Sequence, residues 1–289
     1  MSEINKEESY ELSDLYSVIV EIEGCLAKVS YNFTPKDKFS EIKSVDELQL
    51  VYWSEIIQRL HICGATTILR LKKWYEAVDC AYESKNYYGF CASIRGLLEA
   101  CSDSFHSIGK VILPISENFS HIKSVIDGQA KKVVFATELE NELIHYMYGR
   151  KLSATEKESF EHSHNAKQVR EYLNSIQDES LDDLYSELCQ VSHPSLMSFL
   201  PFMIEHPDHG LILHNDFLDD ELNKNILERH RSTIYKTTEY ALWPALCSLK
   251  LVNLLAGSLL GALHTDEEAF KSLNEYSLWV RLEKTIGGQ

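Results

Sequence analysis

The chain has 289 residues, of which 44% are hydrophobic and 25% charged, so it can bury a core and wholesale disorder is excluded. Its formal net charge of −16 repels phosphate at long range, which disfavours an extended nucleic-acid-binding surface but is compatible with a local basic site. The seven cysteines form no Cys-x-x-Cys pair and the first residues are acidic rather than leader-like, so we expect reduced thiols and a cytoplasmic protein.

Low glycine and proline contents, together with apolar residues at spacings of three and four, predict an all-α fold. The first such run predicts a helix over 12–29, followed by a polar linking loop over 32–44. Ser44-Val-Asp-Glu47 is a capping-box pattern, which predicts a long second helix that begins here. That helix should reach about Tyr82, and Gly64 is where we expect it to kink.

A third helix is predicted from about Tyr87 to Ile108, with Pro114 ending the connection after it. Further helices are expected near 115–126, 131–148, 165–176, 181–193, 219–263 with a kink at Pro244, and 265–286. The whole chain, 1–289, is expected to be one helical domain: a multi-helix bundle with long antiparallel helices. The best candidates for a domain boundary are residues 149–163 and 200–217. One small β-hairpin is expected within residues 200–213.

The most apolar stretch, residues 240–263, calls for a comparison with membrane-spanning helices. Lys250 falls near its middle and the unbroken apolar part is too short to cross, so we expect a buried core helix and no membrane contact. Gly257 and Gly261 have the G-x-x-x-G spacing that lets two helices approach closely.

A polar stripe on the third helix is the first candidate site. Arg95, Glu99, Ser102 and His106 are spaced by four, three and four residues, so they share one helix face. A guanidinium held by a carboxylate can bind phosphate or carboxylate, and a nearby histidine can transfer a proton. The same spacing also fits an ordinary ion pair on a solvated face.

A histidine at the end of the helix predicted over 181–193 is the second candidate. The apolar residues of that helix lead to His193, and Pro194 then stops it. A histidine in this position can simply complement the helix dipole. Alternatively, it can lie at the edge of a cleft, where its charge switches near neutral pH.

Two segments carry a resemblance to a known superfamily. SIRGLLEA, which contains Arg95 and Glu99, and YSELCQVSHPS, which begins at Tyr185 and contains His193, are similar to uncharacterised bacterial all-helical proteins. Those proteins are related to the HEPN (higher eukaryote and prokaryote nucleotide-binding) superfamily of helical bundles, which includes RNases of toxin and antiviral systems. The resemblance covers the stretch from Tyr87 to Leu200.

This resemblance implies a protein that binds or cleaves RNA, or binds a nucleotide, in a defence or stress setting. Its catalytic cleft would be formed by Arg95, Glu99 and His106 facing Tyr185 and His193. His193 would be the general acid or base, and Arg95 would stabilise the charged transition state. No arginine precedes His193 by four to seven residues, as the superfamily motif requires, so Arg95 would supply the cation from another helix.

Two other functions fit the same sequence. A non-catalytic interaction protein would form a homodimer or bind a partner protein through the helix over 12–29 and the Gly257/Gly261 face. A metal enzyme would use the pairs Glu142-x-x-His145 and Glu161-x-x-His164, or the His-rich loop with His206, Asp208, His209, His214 and Asp216. No dinucleotide, P-loop, nucleophile-elbow or H-E-x-x-H motif occurs, so we predict no cofactor.

Overall fold

The computed structural model describes residues 10–130, 132–159, 162–206, 208, 210–213, 218–257 and 260–288. Within them the predicted all-α multi-helix bundle is confirmed. Its α-helices are α1 Tyr10–Gly24, α2 Lys36–Glu41, α3 Val45–Glu83, α4 Tyr87–Glu117, α5 Phe119–Ile126, α6 Thr137–Tyr148, α7 Ala154–Ser159, α8 Val169–Asn174, α9 Glu179–Ser192, α10 Asp219–Ala256 and α11 Ser277–Gly287. Short 3₁₀ helices occupy His162–His164, Leu196–Ser198, Leu200–Phe202, Gly261–Leu263 and Glu267–Glu275.

The three long helices α3, α4 and α10 pack against one another and form the centre of the bundle. A three-residue connection, Ser84 to Asn86, joins α3 to α4, so these two run antiparallel. Helix α10 is antiparallel to α3, because Gly64 lies against Ser248 while Tyr75, further along α3, donates to Thr238. The predicted long antiparallel helices are therefore present.

Helix α3 begins where the capping-box pattern places it. The Ser44 hydroxyl accepts a hydrogen bond from the Glu47 backbone N–H at 3.4 Å, which satisfies one of the free donors of the first turn. The helix then stays unbroken for 39 residues because its inward side chains, among them Trp53, Ile56 and Leu60, are completely buried.

Gly64, where we expected a kink, lies within this unbroken helix. A Cβ atom there would meet the Ser248 hydroxyl at 2.3 Å and the Ala245 carbonyl oxygen at 3.0 Å. Glycine at this position therefore permits the close approach of α3 and α10.

Several boundaries differ from the sequence prediction. Helix α1 ends at Gly24 rather than near residue 29, and the linking loop over 32–44 contains α2. Helix α4 continues through Pro114 to Glu117, since Val111, Ile112 and Ile115 are buried and their burial outweighs one lost hydrogen bond. The polar stretch 149–163 contains α7 and the start of a 3₁₀ turn.

The hairpin expected within 200–213 is present as β1 Met203–His206 and β2 Gly210–Leu213. The strands pair antiparallel, from Met203 opposite Leu213 to His206 opposite Gly210. Gly210 follows the turn with a φ of +73°, a conformation that glycine adopts without strain.

The apolar stretch 240–263 is only partly helical. Helix α10 ends at Ala256, Gly257 adopts a φ of +52°, and Gly261 lies in a separate 3₁₀ turn, so the two glycines do not share a helix face. Lys250 donates to the Asn274 side chain at 2.6 Å and lies over the Trp279 ring, which accommodates its charge beside the core. Within the described ranges, no helix combines the length and the apolar character that crossing a bilayer requires.

We expect Gly64→Ala to lower the free energy of unfolding by about 1–3 kcal/mol, because the added methyl group overpacks the α3–α10 contact. Gly109→Ala is the matched control: its Cβ would lie at an ordinary 3.5 Å from the Phe105 ring. That change should be neutral or stabilising by up to about 1 kcal/mol. Urea unfolding of both variants measures the difference, and equal effects would contradict the close-packing role of Gly64.

Candidate functional site

The candidate site lies where the end of α9 meets the first half of α4. The Asn86 side chain caps α4 by accepting from the Gly89 N–H at 2.9 Å, and the buried Phe90, Ile94 and Leu98 fix the rotation of the helix. This rotation places Arg95 and Glu99 at the edge of the core, where their side chains are 26% and 32% exposed.

Helix α9 supplies the other half of the site. The Asp178 side chain caps it at 2.9 Å from the Ser180 N–H, and Leu184 and Leu188 are fully buried in the interface with α4. The helix ends at Ser192, and His193 follows in an extended conformation before Pro194. His193 therefore projects from the end of the helix and is exposed.

Four side chains from these helices form a connected cluster, which we call the Arg–His cluster: Arg95, Glu99, Tyr185 and His193. Arg95 Nη1 lies 3.1 Å from His193 Nε2, and Arg95 Nε lies 3.3 Å from Glu99 Oε1. The Tyr185 hydroxyl donates to the same Glu99 oxygen at 2.7 Å. Four of the five residues that the sequence suggested are thus brought together.

The directions of the hydrogen bonds within the Arg–His cluster follow from the chemistry of its groups. A guanidinium can only donate, so Nε2 of His193 accepts in the contact with Arg95. Burial, reinforced by the hydrogen bond to Glu99 and the charge of that carboxylate, raises the pKa of Tyr185. The phenol therefore stays protonated and holds the Glu99 carboxylate beside Arg95.

His106 lies outside this cluster, although it shares the helix and the stripe. It follows Arg95 by eleven residues, which is roughly 16 Å along the axis of α4. Its Nε2 instead lies 2.9 Å from Lys110 Nζ and 2.6 Å from Lys167 Nζ. Ser102, the stripe's other member, is fully buried and donates to the Leu98 carbonyl.

The surroundings of His106 keep its ring neutral. Burial, together with the nearby Lys110 and Lys167 ammonium groups, lowers the pKa of His106 from its ordinary 6.5 to about 4. Lys110 also lies 3.3 Å from Glu142 Oε1, so one carboxylate partly balances the two cations.

The residues suggested for a metal site have other partners where the structure describes them. Glu142 pairs with Lys110, and His145 bonds to the Tyr172 hydroxyl at 2.8 Å and to the Ser163 carbonyl at 3.0 Å. Glu161 and the loop residues His209, His214 and Asp216 lie outside the described residues. Among the described side chains, no group of three or more His, Cys, Asp or Glu residues is arranged to hold a metal ion.

Sequence reasoning missed an ion-pair group that fixes α9 against α10. Glu187 accepts from Arg229 at 2.8 Å and lies 3.0 Å from His230 Nε2. Burial alone would raise the pKa of Glu187, but the hydrogen bonds from Arg229 and His230 lower it. Because these residues are more than forty positions apart, no local spacing could have indicated the contact.

The pKa of His106 predicts a pH dependence of stability. The His106 ring takes up a proton near pH 6.5 in the unfolded chain but only near pH 4 in the folded chain. The stabilisation that comes from the neutral ring is therefore fully present above pH 6.5 and is lost as the pH falls toward 4. We expect His106→Gln to make the loss of unfolding free energy between pH 7 and 5 less steep, as measured by urea titration. The exposed His264→Gln should keep the original slope.

Part of the slope should remain in His106→Gln. Burial also lowers the pKa of His61 to about 4, so a second histidine resists protonation in the fold. An unchanged slope in His106→Gln would contradict the assignment of a neutral, buried ring.

No protein-family model, curated protein or solved structure matches the chain. The function is therefore argued from the chemistry of its own side chains.

Proposed function

We propose that the chain is a HEPN-like helical protein that binds RNA at the Arg–His cluster and cleaves its phosphodiester backbone there. The observation that supports this most directly is the 3.1 Å contact between Arg95 and His193, which come from different helices 98 positions apart. The resemblance implied that Arg95 would provide the cation from another helix, and this contact supports the proposal. A defence or stress role in a bacterial cell remains part of the proposal and rests on the resemblance alone.

Arg95 would bind the phosphate. Its planar guanidinium offers paired donors that match a phosphate, and the Glu99 contact at Nε holds the group in orientation. An arriving phosphate would compete for the Nη1 donor that now contacts His193. The negative charge that grows on the phosphoryl oxygens in the transition state is then stabilised by the same guanidinium.

His193 would transfer the proton. With Nε2 as the acceptor in the contact with Arg95, a substrate hydroxyl bound near the guanidinium could lose its proton to this nitrogen. The exposed position of His193 leaves the ring accessible to a macromolecular substrate. Tyr185 would be a positioning residue, since it acts through its hydrogen bond to Glu99.

A second cationic group beside α4 favours an RNA strand, rather than a single phosphate, as the ligand. Lys110 and Lys167 converge on His106 roughly 16 Å along the helix from Arg95. In a chain of net charge −16, two such local groups would be needed to attract an extended polyanion.

A non-catalytic interaction protein is the second candidate function. The apolar residues Leu15, Ile19 and Ile22 of α1 are buried against the same chain, so they are not offered to a partner. Another observation keeps this candidate open: large apolar side chains are exposed over residues 196–218.

Cleavage of a fluorescently labelled single-stranded RNA tests the proposed activity. We expect His193→Gln and Arg95→Ala each to lower the cleavage rate by about 100-fold or more, because one removes the proton acceptor and the other the phosphate donor. Arg95→Lys should restore only part of the rate, since an ammonium keeps the charge but loses the paired donors.

The matched controls are His264→Gln and Arg281→Ala, which change exposed side chains on other elements. Both should retain the full rate, and circular dichroism should give the same helix content for all variants. RNA left intact by the wild-type chain, or equal cleavage by His193→Gln and the controls, would refute the proposal.

A further inference from the structure

An exposed apolar surface begins three residues after His193. It comprises the two 3₁₀ turns over 196–202 and strand β2, and we call it the hairpin surface. Leu213 is 73% exposed, Leu196 60% and Leu211 58%, and Met197, Phe199, Phe202 and Ile212 are exposed as well. Elsewhere among the described residues, exposed large apolar side chains are scattered along the chain. Such a concentration on a protein surface is typical of an interaction site.

The hairpin has a free edge. Each strand has only four residues, and β2 pairs with β1 alone among the described strands. In an antiparallel pair, alternate residues direct their N–H and C=O groups away from the partner strand, so β2 presents unpaired groups along its outer side. All four β2 residues are exposed, and an isolated hairpin of this length is marginally stable in water.

Contacts with α4 hold the 3₁₀ turns of this surface against the bundle. The Tyr88 hydroxyl on α4 donates to the Ser198 carbonyl at 2.6 Å, and the Tyr88 ring stacks on Phe202 at 5.9 Å between centroids. The Tyr87 N–H donates to the Asp219 carboxylate at 2.9 Å, which fixes the start of α10 beside the same helix end. The chain on both sides of the hairpin is therefore fixed before a partner binds.

The charge around the hairpin surface selects the kind of partner. Residues 194–223, the segment that contains the whole hairpin surface, include six Asp or Glu residues and no Lys or Arg. A second copy of the same segment would be repelled, and so would an anionic lipid surface. A basic protein segment is attracted.

We propose that the hairpin surface docks an extended segment of another protein in which apolar residues alternate with Lys or Arg. The segment adds as a third strand to the free edge of β2, where main-chain hydrogen bonds provide part of the affinity. Its apolar side chains cover Leu211 and Leu213, which lie on the same side of β2. Its basic side chains are attracted by the net negative charge of residues 194–223. This inference is independent of RNA cleavage.

A synthetic octapeptide of alternating valine and lysine, capped at both ends, is the probe. Amide hydrogen exchange of the full chain should slow at Gly210–Leu213 when the peptide is added, and the affinity measured by calorimetry should fall as salt rises. A peptide with glutamate in place of lysine should bind at least tenfold more weakly. Exchange that slows elsewhere and not in β2, or equal binding of the two peptides, would overturn the proposal.

The double variant Leu211→Ser/Leu213→Ser should weaken binding of the lysine peptide at least tenfold. Leu69→Ser, which changes an equally apolar exposed residue on α3, should leave the affinity unchanged. The exchange result on the wild-type chain does not depend on how the double variant folds. Concentration-dependent dimers that the double variant abolishes, or binding to phosphatidylserine vesicles that it abolishes, would replace the basic partner by a second copy or a lipid surface.

Discussion

The burial of the apolar face of α9 against α4 is the contact on which the candidate site depends. Leu184 and Leu188 are completely buried. If α9 rotated or slid, these side chains would be exposed, which would cost several kcal/mol of free energy. This packing fixes Tyr185 over Glu99 and brings His193 to Arg95. The ion pairs of Glu187 with Arg229 and His230 fix the opposite side of α9 to α10. The polar contacts of the site thus follow from an apolar interface.

The sequence was sufficient to predict those parts of the fold that depend on residue spacing and helix capping. Apolar residues at spacings of three and four correctly indicated the helices α3, α4 and α9, and the Ser44 pattern indicated the start of α3. The same spacing put Arg95, Glu99 and His106 on one face of a helix. It could not say which neighbour covers each part of that face. Lys167, which binds His106, comes from a connection 61 positions later, and no periodicity relates the two.

Gly64 and Pro114 were poor guides to helix structure when taken from the sequence alone. We expected a kink at Gly64 and the end of a connection at Pro114, and both residues lie inside unbroken helices. Each residue has a local cost that a buried interface exceeds: Gly64 permits the approach of Ser248, and Pro114 is followed by the buried Ile115. Local propensity predicts a boundary only where burial is small.

The hydrogen bond between Tyr87 and Asp219 also has a consequence for how the chain reaches its fold. It joins the starts of α4 and α10 across 132 positions, whereas α3 and α4 meet across a three-residue connection. Closing the longer loop costs more chain entropy, so we expect the α3–α4 hairpin to form early and α10 to dock late. Mutations in the α3–α4 contact should then mainly slow folding, and mutations in α10 should mainly speed unfolding, as stopped-flow kinetics can measure.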